Sequence, residues 1–528
     1  MELNTYLGQK GYTIAKNELT IEQQKQIRND LTIKPYVMGS PLNNDQKTFP
    51  AYRESANKFY VPHYYGVENY GNPKQYKITD GTDINLEFNG KLRENQEIVV
   101  NTYIEHVNKV GFGGGLLELP CAYGKTVLSL NIISRLNKKT FIIVHKEFLM
   151  NQWIERIQQF LPKARVGKIQ GPIIDIDDKD IVIGMLQSLS MKEYPASTFE
   201  SFGLTIIDEV HHISSEVFSN SLFKLVTKYM LGLSATMNRK DGTTKVFKMF
   251  LGEVVFKGKR DEAREVVVHA IKYEVNDDEF NEVKLDYRGN PAYSTMISKL
   301  CEYNRRSEFI LKVLSSMLET NPNQQIMVLA HNKNVLKYLH DAIAHRNIAT
   351  VGYYVGGMKE SALKETEGKK VVIATYAMAA EALDIKTLTT LIMATPKTDI
   401  EQSVGRILRE KHTSPIVVDI IDSHDLFQNQ WRKRKTFYKK ENYKIIYTNS
   451  TQYTPDTSKW LIVYTPNSDV LKECKPKKSI KKPISIKSNS SSDKSITNDS
   501  DTEEDEIVEE EKPKDKYLCG KCLLPLKK

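Results

Sequence analysis

In the run LLELPCAYGKTVLSLNIISRL, Gly124-Lys125-Thr126 sits where an apolar, strand-like stretch passes through a short loop into an amphipathic helix. That placement suits an anion. Backbone N–H groups at a helix N-terminus face phosphate, a lysine there bridges the outer phosphates, and a threonine hydroxyl can hold magnesium. Leu119, Pro120, Cys121, Ala122 and Tyr123 make the rest of the loop, and Leu119 and Ala122 stand where such loops often carry glycine. A second candidate pair, Asp208 and Glu209, directly follows the apolar run of TIIDEVHH. An aspartate there can hold magnesium through water, and the adjacent glutamate can orient and deprotonate an attacking water. Each feature alone is common. Together, at two strand ends of one domain, they indicate phosphoryl chemistry. His211 and His212 follow the acids, but no second ligand pair lies nearby to make a metal site of them.

These residues need a scaffold that presents strand ends. Between about 90 and 255 the runs GLLEL, TFIIVH, DIVIGM, LTIIDE and YMLGLS alternate with amphipathic segments. A second series, QIMVLAH, TVGYYVG, KVVIAT, TLIMAT and PIVVDI, follows from about 300 to 425. Alternation of this kind predicts an α/β fold with two parallel sheets, each covered by helices. The expected divisions are a small accessory domain over 1–88, a first lobe over 89–255, a connecting segment over 256–299 and a second lobe over 300–425. A basic and aromatic extension covers 426–470, and a charged tail over 471–528 is expected to be disordered, because its blocks cannot bury enough apolar surface. Within the extension, Trp431, Phe437, Tyr438 and Tyr443 are read as packing on the second lobe. Arg432, Lys433, Arg434, Lys435, Lys439 and Lys440 are kept as a candidate face for a polynucleotide.

A chain of 528 residues with 40% hydrophobic and 27% charged residues exceeds one core and has ordinary globular balance. No apolar run reaches membrane-span length and MELNTYLGQKGY lacks signal-peptide zones, so no membrane partner is expected. Five scattered cysteines point to a reducing compartment. The net charge of +9 fits a polyanionic partner; the tail holds 14 basic and 12 acidic residues, which leaves +7 on residues 1–470. Cys519 and Cys522 supply half the ligands of a zinc site with Cys474 as the only tail candidate for a third, so zinc is not expected.

With PCAYGKT, DEVHH, LGLSATMNRKDG and QSVGRILR in this order, the sequence resembles DEAD/DEAH-like helicases of the second superfamily over roughly residues 90–425. It looks most like the branch that holds the XPB translocase and the helicases of large cytoplasmic DNA viruses, the poxvirus transcript-release type among them. The resemblance implies two RecA-like lobes, ATP with magnesium (Thr126, Asp208) as fuel, and a DNA or RNA strand as track. It assigns Arg93 and Gln96 of LRENQ to the adenine side and Asp208-Glu209-Val210-His211 to the DEVH box. Ser234-Ala235-Thr236 would couple hydrolysis to the strand; Gln152 and Trp153 of HKEFLMNQW, with Gln187 and Ser188, would touch it. Asp384 would contact strand and nucleotide, with Ala382 where relatives usually carry glycine. Gln402, Arg406 and Arg409 would complete the catalytic set from the second lobe. Arg239-Lys240-Asp241 resembles an Arg-Glu-Asp element with its central acid changed to lysine. The implied function is an ATP-dependent translocase or helicase in viral transcription, acting in host cytoplasm or virion beside the viral transcription machinery. The alternatives are a repair or restriction motor, or a binding scaffold that has lost hydrolysis, for which Ala122 and Ala382 speak.

Overall fold

The strand-like runs carry apolar side chains at successive positions, so each is stable only with both sheet faces covered. The computed structural model describes residues 3–35, 48–110, 113–120, 123–212, 215–237, 242–258, 265–381, 385–408, 412 and 414–466, and both series of runs form sheets of this kind. The first lobe contains β1 (Gly113–Glu118), α1 (Lys125–Leu136), β2 (Thr140–Val144), α2 (Glu147–Phe160), β3 (Val166–Gln170) and β4 (Ile173–Asp175). It continues with β5 (Ile181–Met185), β6 (Leu204–Ile207), β7 (Tyr229–Ser234) and β8 (Val254–Lys257). The strands lie in the order β4-β3-β5-β2-β6-β7-β1-β8, parallel throughout except for β4 against β3. Side chains alternate between two apolar layers: Ile143 packs on one side of the sheet, Ile142 and Val144 on the other.

The second lobe contains β9 (Val267–Tyr273), α3 (Tyr293–Glu302), α4 (Asn304–Thr320), β10 (Gln325–Ala330), β11 (Val351–Tyr354), α5 (Glu360–Glu367) and β12 (Val371–Thr375). Then come α6 (Tyr376–Glu381), β13 (Leu388–Met393), α7 (Glu401–Gly405), β14 (Ile416–Asp422), α8 (Asp425–Lys440), β15 (Lys444–Asn449) and β16 (Leu461–Tyr464). Its order is β11-β12-β10-β13-β14-β9-β15-β16, again parallel apart from the last pair. Two expectations change here. The segment 256–299, read as a connection, supplies β9 to the interior of this sheet, with Val268, Ala270 and Ile271 wholly buried. The extension 426–470 supplies β15 and β16, so the sheet draws strands from 267 to 464. Local periodicity shows a strand but not its neighbours, and β9 pairs with strands well over a hundred residues away.

Residues before the first lobe form a five-stranded sheet in the order Arg53–Glu54, Lys58–Val61, Gly11–Ala15, Tyr6–Gly8, Gln75–Tyr76, with helices Ile21–Leu31 and His63–Tyr70. This sheet is fused to the first lobe by a common core: Tyr12, Ile14 and Phe59 belong to one apolar cluster with Phe218, Phe247 and Phe250. The Tyr64 hydroxyl adds a polar tie, donating to Gly114 O at 3.1 Å. Among the described residues no helix is long and apolar enough to cross a membrane, and no group of three or more His, Cys, Asp or Glu could hold a metal ion. Cys474, Cys519 and Cys522 lie outside the described residues.

Candidate functional site

In a parallel sheet the strand carboxyl ends open onto one edge, and loops from adjacent strands meet there. β6, β7 and β1 are neighbours, so the segments after them converge: Asp208 follows β6, Ser234 ends β7 and the Gly124 loop follows β1. Backbone bonds fix them in place, Leu119 N donating to Ser234 O at 2.8 Å and Asp208 N to Ile143 O of the adjacent β2 at 3.1 Å. Leu119 and Val210 are fully buried beneath this edge, and Tyr123 nearly so.

Gly124 caps α1 with φ of 91°, a left-handed conformation that L side chains rarely adopt. A Cβ there would stand 2.3 Å from Gln96 Nε2. Space and backbone both demand glycine. Gln96 is buried, and its amide donates to Tyr123 O at 2.8 Å while accepting from Arg93 N at 3.0 Å. The Arg93 guanidinium also donates to Tyr123 O. The pair expected on the adenine side therefore grips the carbonyl just before the glycine. Lys125 and Thr126 open the helix, where the N–H groups of the first turn concentrate positive potential.

Lys125 Nζ lies 2.7 Å from Glu209 Oε1, which joins the phosphate-binding charge to the acidic pair. Glu209 has φ of 49°, a conformation that costs a non-glycine residue about 1–2 kcal/mol. Its own N–H donates to Asp208 Oδ1 at 3.0 Å. Asp208 is buried, and the indole of Trp153 donates to its Oδ2 at 2.9 Å. Burial, with repulsion from Glu209, pushes the Asp208 carboxyl up to about 6, against the pull of Lys125 and the two donors. A carboxylate in this state gains from a cation placed beside it, which suits magnesium.

His211 connects the acids to both coupling elements. Its Nδ1 lies 2.7 Å from Ser234 Oγ and 3.4 Å from Glu209 Oε2, and its Nε2 lies 3.1 Å from Gln402 Nε2 of the second lobe. Ser234 Oγ donates to Thr236 O. One tautomer satisfies the whole chain: Gln402 donates to Nε2, Nδ1–H donates to Ser234, and Ser234 passes its proton outward. Ala235 is buried within the same turn. Farther along the cleft, Asn151 Nδ2 donates to Glu360 Oε2 at 3.1 Å and Lys364 Nζ lies 2.9 Å from Glu155 Oε1, joining α2 to α5. Arg406 is buried at the start of the turn Arg406–Leu408, directly after α7 and its Gln402.

Other expected residues divide. Gln187 is exposed and Gln152 half-buried, while Ser188 accepts from Gly171 N at 3.0 Å. Trp153, expected on the strand, is 1% exposed and turned inward onto Asp208, so it has no surface to offer a polynucleotide. Arg434, counted in a basic face of α8, is equally buried and bonded to Asp419; Arg432, Lys433, Lys439 and Lys440 are exposed. Cys121, Ala122, Arg239, Lys240, Asp241, Ala382, Asp384 and Arg409 lie outside the described residues. Sequence reasoning missed Trp153 as the partner of Asp208 and His211 as the junction. Each stood in a recognised motif, yet no spacing shows which atom a ring nitrogen will reach.

Residues 89–239 match the family model described as "Type III restriction enzyme, res subunit". The chain is 34% identical over 464 residues to a protein of Acanthamoeba polyphaga mimivirus provisionally designated ATP-dependent RNA helicase L396, covering 84% of this chain and 86% of that one. It is 27% identical over 389 residues to the African swine fever virus protein provisionally designated ATP-dependent RNA helicase QP509L, covering 69% and 75%. A protein of Invertebrate iridescent virus 6, provisionally designated helicase 161L, is 27% identical over 387 residues, covering 69% and 85%.

Proposed function

The chain belongs to the family of ATP-dependent helicases of large DNA viruses, and from that premise we propose that it is a strand-stimulated translocase whose ATP site is completed across the two lobes. The observation that carries this reading is the junction at His211, which holds Ser234 of the first lobe and Gln402 of the second within 2.7 and 3.1 Å. A shift of one lobe against the other must alter hydrogen bonds that end on the DEVH box.

ATP is assigned to this loop because Lys125 and Thr126 open α1, where N–H groups of a helix N-terminus favour phosphate and Lys125 can offer its charge to the outer phosphates. Asp208 and Thr126 are the groups that would hold magnesium, which when bound neutralises charge on the phosphates. Glu209 is assigned as the base that orients and deprotonates water, and its carboxylate lies 2.7 Å from Lys125 Nζ, beside the phosphate loop. Arg406, with Arg409, brings positive charge from the second lobe toward the γ-phosphate; Gln402 reports its position to His211. Gln152 and Gln187 are assigned to the strand, mainly to its phosphates, so sequence preference should be weak. Two relatives are designated RNA helicases, which favours RNA as a track and supports a role in releasing or extending viral transcripts.

The test is ATP hydrolysis measured in parallel with single- and double-stranded DNA and RNA. Turnover should rise several-fold with the preferred polymer and weaken as salt increases. Lys125→Ala should reduce both nucleotide affinity and turnover. Arg406→Ala should spare affinity and lower turnover by roughly a thousand-fold, the scale of an arginine acting on a phosphoryl transition state. Equal rates with and without every polymer, or full turnover in Arg406→Ala, would sink the two-lobe reading.

A further inference from the structure

Beyond Met393 at the end of β13, the chain must cross from the sheet to α7, and its carbonyls lose their ladder partners there. Four consecutive carbonyls are taken up by four side chains from four different helices. Arg306 Nη1, from α4, donates to Ala394 O at 2.7 Å. Tyr376 Oη, from α6, donates to Thr395 O at 2.6 Å. Tyr293 Oη, from α3, donates to Pro396 O at 3.3 Å, and Arg434 Nη1, from α8, donates to Lys397 O at 3.0 Å. The Thr395 hydroxyl adds a fifth tie, accepting from His331 N at 3.0 Å. Four residues after Lys397 α7 begins at Glu401; it carries Gln402 and runs into the turn that starts at Arg406.

Both arginines are fixed before they reach the loop. Arg306 is bidentate to Asp422 at 2.6 and 2.8 Å; Arg434 is bidentate to Asp419 at 2.8 and 2.8 Å, and Tyr438 Oη donates to the same carboxylate at 2.9 Å. Arg306 and Arg434 are almost wholly buried. Burying charge pairs carries a large desolvation cost, and apolar packing of equal volume often stabilises as well or better. A requirement for stability alone does not call for two such pairs aimed at one loop. A requirement for fixed direction does.

We propose that Arg306, Tyr376, Tyr293 and Arg434 are positioning residues that set the register of the Gln402–Arg406 turn against the nucleotide site. The proposal rests on the reading that Arg406 completes that site. Misplacing a reacting group by about 1 Å can cost on the order of a hundred-fold in rate, so a loop held at four successive carbonyls protects turnover more than binding. The nucleotide is met first by Lys125 and the Gly124 loop, which the clamp does not touch.

The experiment uses the full chain with Tyr376→Phe and Tyr293→Phe, each of which removes one hydroxyl and keeps its ring. Tyr103→Phe is the matched control: Tyr103 is buried in the first lobe and donates to Met230 O at 2.9 Å, so it loses the same kind of bond away from the turn. ATP turnover at saturating poly(U) or poly(dT), KM for ATP and the thermal midpoint are measured on all three. The two clamp variants should lose roughly ten-fold in kcat with unchanged KM, while Tyr103→Phe keeps wild-type kcat whatever its midpoint. Wild-type kcat in both clamp variants, or an equal loss in Tyr103→Phe, would overturn the assignment and leave the bonds purely structural. Should Tyr376→Phe fail to fold, the half-buried Tyr293 carries the same comparison. Arg406→Ala runs alongside: full turnover there refutes the two-lobe reading, whereas its loss beside fully active clamp variants refutes the clamp alone.

Discussion

Replacing Gly124 with alanine tests the phosphate loop without removing any charge. The residue sits at φ of 91°, and the added Cβ would come 2.3 Å from Gln96 Nε2 and 3.3 Å from Arg93 Nη2. Left-handed backbone costs an alanine about 1–2 kcal/mol. Gln96 must also swing aside, and its amide then loses Tyr123 O at 2.8 Å together with the bond from Arg93 N at 3.0 Å. A buried polar group left unmatched costs about 1–3 kcal/mol. The sum is about 2–5 kcal/mol, concentrated in the loop and not in the sheet. If nucleotide binds only the glycine-like geometry, the variant must restore it at each binding event, and the low end already weakens ATP by about 30-fold. Equilibrium titration with a fluorescent ATP analogue reads this, with the thermal midpoint recorded beside it. Gln96→Ala takes away the colliding amide, so the double variant should lose less affinity than the two single losses combined. Wild-type affinity in Gly124→Ala, or strict additivity in the double variant, would refute the account of the loop.

Two further outcomes follow from buried groups. Trp153→Phe keeps the ring packed but withdraws the 2.9 Å donor from Asp208, so turnover should fall while strand affinity, measured by fluorescence anisotropy, stays at the wild-type value; weakened strand binding with normal turnover would return Trp153 to the track. His269 packs against Trp460, and burial lowers its imidazole to about 4. A histidine depressed below its ordinary value contributes stability that is whole above about pH 6.5 and lost as pH falls toward 4, at about 1.4 kcal/mol per unit. The thermal midpoint should therefore drop across that window, and His269→Phe should flatten the drop in part, since His63 is lowered to about 4 as well and still titrates; an unchanged slope would refute the burial argument.

The sequence by itself determined the α/β class and the candidate residues of the first lobe. The reason is local. A strand buried on both faces must be a short apolar run, and a phosphate loop must join such a run to a helix, so LLELPCAYGKT and TIIDEVHH carry their chemistry within a few residues. What only the tertiary structure decided depends on contacts between distant parts of the chain. β9 and β15 join the second sheet through pairings that no periodicity encodes. The tryptophan of α2 turns inward because Asp208, at the end of β6, lies within reach beneath it. Arg434 reads as one more cation in the run RKRKTFYKK, yet its position on α8 faces Asp419 while Arg432 and Lys433 face outward. Arginines 306 and 434 meet on a single loop because β13 lies beside β14, which bears both of their aspartates. Composition shows which residues can carry a charge; the fold decides which of those charges are taken out of water and held in one direction.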